Sequence, residues 1–310
     1  MQAEYDIFSL DNEFIENPDT HVLTWIGTKG SRIKRLWYPK TALAILDFTK
    51  HNKFSVIGNG SNVLLGNLDH CLISTKSLQG IQFDKDKVIA GAGVNNLHLV
   101  QACLKYGLCG FEFLYTIPGT IGGAAAMNAG AHGHEVKDYI HSVEYVKNGE
   151  ISLIARDQIQ FDYRWSQFLN SGVVTRVLLN LSKANPEKVV QYSNYVNTKQ
   201  PRDFTLGSTF KNPKTLTSNN STGFKALRAW ELLEKCNECE LSSANAYFSK
   251  LHRNFIINSG TATTIEVYQL INKARQAVLR HTGILLENEV QLLGEFETKS
   301  PRYMGRSRGA

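Results

Sequence analysis

The sequence has no continuous apolar stretch of membrane-spanning length, and its first residues, MQAEYDIFSLDNEF, carry acids where a secretory signal would carry lysines. Its five cysteines are odd in number and irregularly spaced, which argues against a framework of disulfide bonds. The net charge of +6 is small for 310 residues, and no basic run with interleaved aromatic residues indicates nucleic-acid binding. We therefore expect a cytoplasmic, monomeric protein with no membrane or nucleic-acid partner.

A metal centre is also not indicated by the sequence. Cys236 and Cys239 form a CxxC pair, but a zinc site would need further ligands at comparable spacing, and only His252 lies nearby. His132 and His134 likewise lack a third ligand. The sequence therefore predicts two ordinary thiols at a helix end and no bound metal.

The composition itself is that of an ordinary globular protein, with 42% hydrophobic and 20% charged residues. A chain of 310 residues is long enough for two or three domains with cores of their own. No internal repeat is visible. Composition and length therefore do not indicate a function, which has to be inferred from the sequence motifs.

The most unusual segment is residues 117–133, IPGTIGGAAAMNAGAHG. It contains five glycines and five alanines but no charged side chain, so it can bury little apolar area. Glycine lacks a Cβ and accepts positive φ, which allows bare N–H groups to approach an anionic ligand. A glycine-rich surface turn is the plainer interpretation, but the density of glycines favours a ligand cradle, to which Asn128 adds an amide.

A second loop of this kind is GNGSN, residues 58–62, between the apolar runs FSVI (54–57) and VLL (63–65). A strand, a tight polar turn and a second strand can form an anion-binding nest. The dinucleotide fingerprint would require GxGxxG at the start of a helix, whereas a strand-like run follows here. Two phosphate-sized cradles without a Rossmann or Walker pattern suggest a diphosphate cofactor held by a different fold.

These two loops, together with FDYRWSQF (161–168), LGSTFKNP (206–213), SSANAYFSKLHRNFIINSGTAT (242–263) and LENEVQLLG (286–294), resemble the UDP-N-acetylenolpyruvoylglucosamine reductase (MurB) family over residues 20–297. The resemblance implies an α+β fold, with a two-lobe FAD-binding domain of the vanillyl-alcohol-oxidase/PCMH type and a C-terminal α+β substrate-binding domain. It also implies FAD as cofactor and NADPH as hydride donor. The implied reaction reduces UDP-N-acetylglucosamine enolpyruvate to UDP-N-acetylmuramate in peptidoglycan precursor synthesis.

The resemblance also predicts domain limits and cofactor contacts. The FAD-binding domain would span residues 20–184, with lobes at about 20–80 and 85–184, the C-terminal domain 199–297, and peripheral ends 1–19 and 298–310. The predicted cofactor-binding residues are Gly58, Asn59, Gly60, Ser61, Asn62, Pro118, Gly119, Gly122, Gly123, Asn128, Gly130 and Gly133. We expect a Cβ at Gly122 or Gly123 to occupy the space of the diphosphate.

Three residues are predicted to carry the chemistry. Hydride addition to the terminal vinyl carbon leaves negative charge on the adjacent carbon and its carboxylate, so the site needs a cation, a proton donor and a fixed cofactor. Arg164 would bind the carboxylate through its planar fork, although a surface pair with Asp162 is the plainer alternative. Ser208 would donate the proton, although a turn serine is common after glycine. Glu289 would stabilise the enolate or relay a proton.

Other residues are predicted from the resemblance to contact the substrate. Glu287 is the local rival of Glu289, and strand alternation would place both carboxylates on one face. The predicted substrate-binding residues are His132, Tyr163, Lys199, Lys211 and Asn212.

The chain departs from the family pattern at three points. His132 stands where members commonly have Tyr, and Gln291 stands where many have Arg. The short interval from Arg164 to Ser208 suggests the compact subtype, which lacks an extra tyrosine loop. Two alternative functions stay open: a flavin oxidoreductase of the same fold with another substrate, and a non-catalytic flavin-binding descendant.

Hydrophobic periodicity predicts the main elements. Helices are expected at 41–52, 95–106, 225–236 and 264–281, with a further polar helix starting at Pro186 and reaching Lys199. Asn148 and Gly149, between apolar runs, predict a hairpin of 140–147 with 151–154. Thr263, three residues before Glu266, predicts the start of the last helix by a capping box.

Overall fold

The computed structural model describes residues 14–183, 200–201, 204–214, 216–219 and 223–296, together with the separate residues 187, 190, 191, 193 and 194. Lys199, most of the helix predicted from Pro186, and residues 1–13 and 298–310 of the two predicted peripheral ends lie outside the described residues. No helix within the described ranges is both long and apolar enough to cross a membrane.

The first part of the chain forms a four-stranded sheet in the order β1-β2-β5-β3, in which β2, β5 and β3 run parallel. The helix predicted at 41–52 is confirmed as Ala42–His51, and Thr41 caps it by accepting a hydrogen bond from the N–H of Ala44. The elements are β1 (Phe14–Glu16), β2 (Ile33–Trp37), α1 (Ala42–His51), β3 (Phe54–Ile57), β4 (Val63–Leu65) and β5 (Leu68–Ser74).

The second part forms an antiparallel five-stranded sheet in the order β12-β11-β15-β7-β6. Asn148 and Gly149, at φ +52° and +74°, make the predicted hairpin turn. The elements are β6 (Ile81–Asp84), β7 (Lys87–Gly91), α2 (Asn96–Lys105), β8 (Leu108–Cys109), α3 (Ile121–Ala126), β9 (Gly130–Ala131), β10 (His134–Glu135), β11 (Ile140–Lys147), β12 (Glu150–Ala155), β13 (Phe161–Asp162), β14 (Trp165–Ser166), β15 (Val173–Asn180) and β16 (Ser182–Lys183).

The third part packs helices against an antiparallel sheet of order β17-β21-β20. Thr263 caps the last helix by accepting a hydrogen bond from the N–H of Glu266, and the Glu266 carboxylate also accepts from Asn245. The elements are β17 (Thr205–Ser208), β18 (Leu216–Asn219), β19 (Gly223–Ala226), α4 (Ala229–Leu233), β20 (Ala246–Phe248), β21 (Phe255–Asn258), α5 (Thr264–Thr282) and β22 (Gln291–Leu293).

One predicted helix is shorter than expected. The periodicity predicts helix over 225–236, but residues 223–226 pair with 216–219 as a hairpin, and α4 begins only after Arg228. The N–H of Arg228 donates to the Glu231 carboxylate, which fixes the helix start. Hairpin pairing thus overrides the local helical pattern.

Packing joins the first two parts and separates the third. Buried side chains of the first sheet and its helix, such as Ile45 and Ile73, share one hydrophobic cluster with those of the second sheet, such as Val88 and Val143. The third part has its own cluster, centred on the apolar stripe of α5, which also receives Leu64 of β4. The predicted α+β class is confirmed.

The decisive long-range contact is a parallel pairing of β4 with β22, which aligns Val63 with Gln291 and Leu65 with Leu293. It places the segment before β22, including Glu289, against the loop before β4. The Asn62 side chain donates to the backbone oxygen of Glu289 over 3.2 Å. The end of the chain therefore completes a site that begins near residue 58.

Candidate active site

A cleft of about 990 Å³ opens beside the pairing of β4 with β22 and receives residues from all three parts. Its volume is near the upper end of the range for small-molecule sites. The predicted site residues that line it are Gly58, Asn59, Gly60, Ser61, Asn62, Pro118, Gly119, Gly122, Gly123, Gly130, His132, Gly133, Tyr163, Arg164, Ser208, Asn212 and Glu289.

The two glycine-rich loops lie side by side in this cleft. The Ser61 hydroxyl donates to the carbonyl of Pro118 over 2.7 Å, and a Cβ at Gly58 would come within 2.7 Å of the Thr120 hydroxyl. Gly60 has φ +68°, and a Cβ there would meet the carbonyl of Leu23 at 2.2 Å. Glycine at position 58 therefore allows the two loops to approach each other, and glycine at position 60 allows the first loop to approach the chain at Leu23.

The first loop presents unused backbone donors. Within the described residues, the N–H groups of Asn59, Gly60, Ser61 and Asn62 donate to no protein acceptor. Consecutive unpaired N–H groups in a turn form a concavity suited to anionic oxygens. The loop therefore has the unpaired donors that the predicted nest requires, and anion binding there stays a prediction.

The two central glycines of the second loop have different roles. Gly123 faces the cleft, and its nearest neighbour to an added Cβ is the Thr120 hydroxyl at 3.5 Å. At Gly122, in contrast, a Cβ would meet the Cβ of Ala92 at 2.6 Å. The expectation that a Cβ at Gly122 would fill ligand space is therefore wrong, because this glycine lets α3 pack on the chain after β7.

Other predicted cofactor residues shape the second loop. The Asn128 amide is buried; it donates to the carbonyl of Asp162 and accepts from the N–H of Lys137, and Asn128 does not line the cleft. His132 and Gly133, at φ +55° and +83°, form the two-residue turn between β9 and β10. The predicted Asn128 amide is thus used to hold the loop, not to line the cleft.

Arg164 occupies the turn between β13 and β14 and has φ +55°, a backbone conformation that costs a residue with a Cβ on the order of 1 kcal/mol. Its Nε donates to Glu289 Oε1 over 2.8 Å, and its Nη2 donates to the carbonyl of Gly130 over 2.7 Å. The guanidinium also lies over the Tyr163 ring, 4.9 Å from the centroid. Turn, ion pair and ring together fix the guanidinium in the cleft.

The surface alternative for Arg164 is not realised. The Asp162 carboxylate accepts from the N–H of Tyr163 and lies 3.6 Å from the Lys214 ammonium, with its side chain largely exposed. The Arg164 side chain is only 18% exposed. Arg164 therefore pairs within the cleft and not with its sequence neighbour.

Glu289 is the partner of that arginine, and its side chain is 15% exposed. Burial raises the pKa of its carboxyl above the ordinary value of 4.5, while the charges of Arg164 and Lys211 act in the opposite direction. The prediction that Glu287 shares its face is wrong, because the residues before β22 are not strand and the Glu287 side chain is 81% exposed beside Lys211. Only Glu289 enters the site.

Ser208 ends β17 next to Gly207, which has φ +72°. A register shift in β17 occurs there, and the following residue, Thr209, accepts a hydrogen bond from the N–H of Glu289 over 2.8 Å. Among the described residues, the Ser208 hydroxyl has no hydrogen-bond partner. This leaves its proton available in the cleft on the strand adjoining Glu289.

The predicted substrate residues are only partly brought together. Burial, with a smaller contribution from His134, lowers the pKa of His132 below its ordinary value and so favours the neutral imidazole. The Asn212 side chain accepts from the N–H of Ala229 at the start of α4. Lys211 does not line the cleft, although its charge reaches Glu289.

Several cleft residues were not predicted, among them Trp25, Asn96, Arg228 and His252. His252 stands against the Phe255 ring, with centroids 4.5 Å apart, and burial lowers its pKa. It lies inside the segment SKLHRNF that carries the resemblance, so a sequence signal for it existed. Arg228 is an isolated exposed cation before α4, and no local pattern distinguishes it from a solvated arginine.

Comparisons with known proteins agree on one family. A family model described as the UDP-N-acetylenolpyruvoylglucosamine reductase C-terminal domain matches residues 200–293, and one described as an FAD binding domain matches residues 40–152. Reductases of that name are similar to this chain in Geobacter metallireducens, with 34% identity over 82% of this chain and 84% of the relative, and in Orientia tsutsugamushi strain Boryong, with 34% identity over 95% and 99%.

A solved structure is similar over nearly the whole chain. The crystal structure of the UDP-N-acetylenolpyruvylglucosamine reductase (MurB) from Thermus caldophilus matches with a TM-score of 0.74 and 28% identity. The match covers 91% of this chain and 99% of the other. Fold and sequence comparisons therefore point in the same direction.

Proposed function

The chain belongs to the UDP-N-acetylenolpyruvoylglucosamine reductase family, and we propose that the cleft described above is where it carries out that reaction. The protein is an FAD-dependent oxidoreductase that uses NADPH to reduce UDP-N-acetylglucosamine enolpyruvate to UDP-N-acetylmuramate. The observation that carries the site assignment is the Arg164–Glu289 pair, 2.8 Å apart and facing two glycine-rich loops. Neither alternative function is favoured, because the relatives carry the same reductase name over most of the chain.

The residues present fit FAD. Four consecutive N–H groups at 59–62 without a protein acceptor suit the oxygens of a diphosphate. At Gly123 the chain leaves open the space that a side chain would fill. Apolar cleft residues such as Val56 and Leu293 can contact aromatic rings. We therefore assign FAD binding to loops 58–62 and 117–133.

When bound, FAD accepts a hydride from NADPH and supplies it to the terminal vinyl carbon of the substrate. Arg164 binds and orients the substrate carboxylate. Its guanidinium has five N–H donors, of which the contacts to Glu289 and Gly130 use two. Because the guanidinium stays charged and fixed, it stabilises the negative charge that develops on that carboxylate.

Ser208 donates the proton that quenches the carbanion. A serine hydroxyl is a weak acid, but a substrate carbanion is a strong enough base to take its proton when the two are aligned. The absence of a competing protein acceptor for the hydroxyl within the described residues supports this role. Glu289 has two roles: it holds Arg164, and in its protonated form it can donate to the developing enolate, which its raised pKa favours.

The proposal extends to the domain limits, the residues that contact the substrate or NADPH, and the cellular location. We assign residues 20–184 to the FAD-binding domain and 199–297 to the substrate-binding domain, since the family models match within these limits. His132, Tyr163, Asn212, Lys199 and Lys211 are assigned to substrate or NADPH. We also infer a cytoplasmic location, because both NADPH and a nucleotide sugar are soluble metabolites, and the monomeric state stays an expectation.

The test uses absorbance and turnover. Purified protein should be yellow from bound FAD, and NADPH consumption should be stimulated by the UDP-linked enolpyruvyl sugar and not by UDP-N-acetylglucosamine itself. A colourless protein that takes up no added FAD would contradict the cofactor assignment. A yellow protein that ignores the enolpyruvyl sugar would contradict the substrate.

A further inference from the structure

A cluster of metal-ligating side chains lies outside the cleft. The Cys236 thiol, a Glu240 carboxylate oxygen and a His281 ring nitrogen all lie within 4.8 Å of one another. None of these three residues lines the active-site cleft. The cluster is therefore separate from the chemistry described above.

Two distant parts of the chain build this cluster. Cys236 lies in the turn after α4, Glu240 lies in the 3-10 turn Glu238–Leu241, and His281 lies in the last turn of α5. The sequence pattern drew attention to the CxxC pair with His252 as the nearby histidine. Packing of α5 against the 3-10 turn supplies His281 instead.

The Glu240 carboxylate is already oriented by its neighbours. Oε1 accepts from Nη2 of Arg280 over 2.8 Å, while Oε2 accepts from the N–H of Asn237 over 3.0 Å and lies 2.9 Å from Nε2 of His281. Metal-ligating carboxylates usually have such outer hydrogen bonds, which fix the ligand geometry. Arg280 can remain on Oε1 while Oε2 faces the cluster.

We propose that Cys236, Glu240 and His281 bind one divalent ion of the zinc class, with water as the fourth ligand. A thiolate, an imidazole and a carboxylate make up a zinc donor set. In a tetrahedral site with zinc–sulfur and zinc–nitrogen bonds of about 2.3 and 2.1 Å, the ligand atoms lie roughly 3.6 Å apart. The three ligand atoms now lie within 4.8 Å of one another, so side-chain rotations can bring them around one ion. The ion ties the end of α5 to segment 236–241.

The experiment uses full-length, FAD-loaded protein that has been reduced and freed of metal with a chelator. Zn²⁺ is titrated against a chromophoric chelator, and Co²⁺ is added separately to record its spectrum. We expect one equivalent of Zn²⁺ per chain and a thiolate-to-cobalt charge-transfer band. Cys236→Ser and His281→Ala should each weaken Zn²⁺ binding by at least about 10²-fold, because each removes a direct ligand.

Cys239→Ser is the matched control, because it changes the exposed thiol of the same CxxC pair outside the cluster. It should keep the affinity and the cobalt band. Zinc should also raise the melting temperature of the wild type and of Cys239→Ser but not of the other two variants. Absence of stoichiometric binding, a cobalt spectrum without the thiolate band, or an equal thermal shift in all four proteins would overturn the proposal.

Discussion

The glycine-rich loops and the Arg164–Glu289 pair are two halves of one cleft that are built in opposite ways. The loops are short stretches of sequence whose contribution is backbone, and glycine there is needed for close approach. The pair joins side chains 125 residues apart, held by an ion pair and by burial. We therefore expect changes in the loops to affect cofactor retention and changes around the pair to affect turnover.

We expect the largest effect from leucine substitutions at the two adjacent glycines of the second loop, which should change different properties. Gly122→Leu forces a side chain into Ala92 and should destabilise the protein by about 3 kcal/mol or more, because overpacking there displaces backbone. Gly123→Leu should leave the fold near normal but abolish FAD retention, because its side chain enters the cleft. Thermal unfolding and visible flavin absorbance measure the two properties. Equal melting temperatures for the two variants would remove the distinction.

The next largest effect should come from removing the proposed proton donor, Ser208, and it can be assigned by measuring the two half-reactions separately. Ser208→Ala should still allow NADPH to bleach the flavin at near wild-type speed, because that step delivers no proton to the substrate carbon. Reoxidation by the enolpyruvyl substrate should slow by at least about 10²-fold, and Ser208→Cys should recover part of this rate. Stopped-flow absorbance measures both steps.

The matched control for Ser208 is Ser259→Ala, which removes an exposed hydroxyl that donates to the backbone oxygen of Asn245 and does not line the cleft. It should leave both half-reactions unchanged. Equal loss of both half-reactions in Ser208→Ala would identify a structural serine. Loss of neither would transfer the proton donation to Glu289 or to water.

A smaller effect, on kcat, is expected when the planar guanidinium of Arg164 is replaced. Arg164→Lys keeps the charge but loses the planar donor set, so kcat should fall about tenfold or more, the equivalent of one charge-assisted hydrogen bond of about 1.5 kcal/mol. Arg176→Lys is the control, because Arg176 makes a comparable pair with Glu144 on the exposed face of the second sheet. If both variants keep wild-type turnover, Arg164 has no role in the reaction.

The smallest effect concerns the pH dependence of stability. Because burial raises the pKa of Glu289 in the folded protein, the folded state binds more protons than the unfolded state just above pH 4.5. Stability should therefore decrease as pH rises through that window, and Glu289→Gln should remove this part of the decrease. Melting temperatures recorded against pH measure it. Glu287→Gln, at an exposed position, should keep the wild-type profile; an identical profile for the Glu289 variant would contradict the pKa shift.

Much of the fold follows from local sequence. Asn148 and Gly149 have the positive φ values that their turn requires, and α5 begins at the residue that its N-cap threonine indicates. The helix ends one residue beyond the predicted end, before Gly283 at φ +72°. Gly58 and Gly60 lie in the predicted cradle. These features depend on φ, ψ and the presence of a Cβ, which are properties of a few neighbouring residues.

Only the tertiary structure decided the rest. The parallel pairing of β4 with β22 brings Glu289 to Asn62, and packing of α5 brings His281 to Cys236. The tertiary structure also gives Gly122 and Gly123 different roles and leaves the Glu287 side chain exposed to solvent. The sequence determined which residue types and local turns were available. Their partners depended on strand pairing and core packing across more than a hundred residues, which no local pattern encodes.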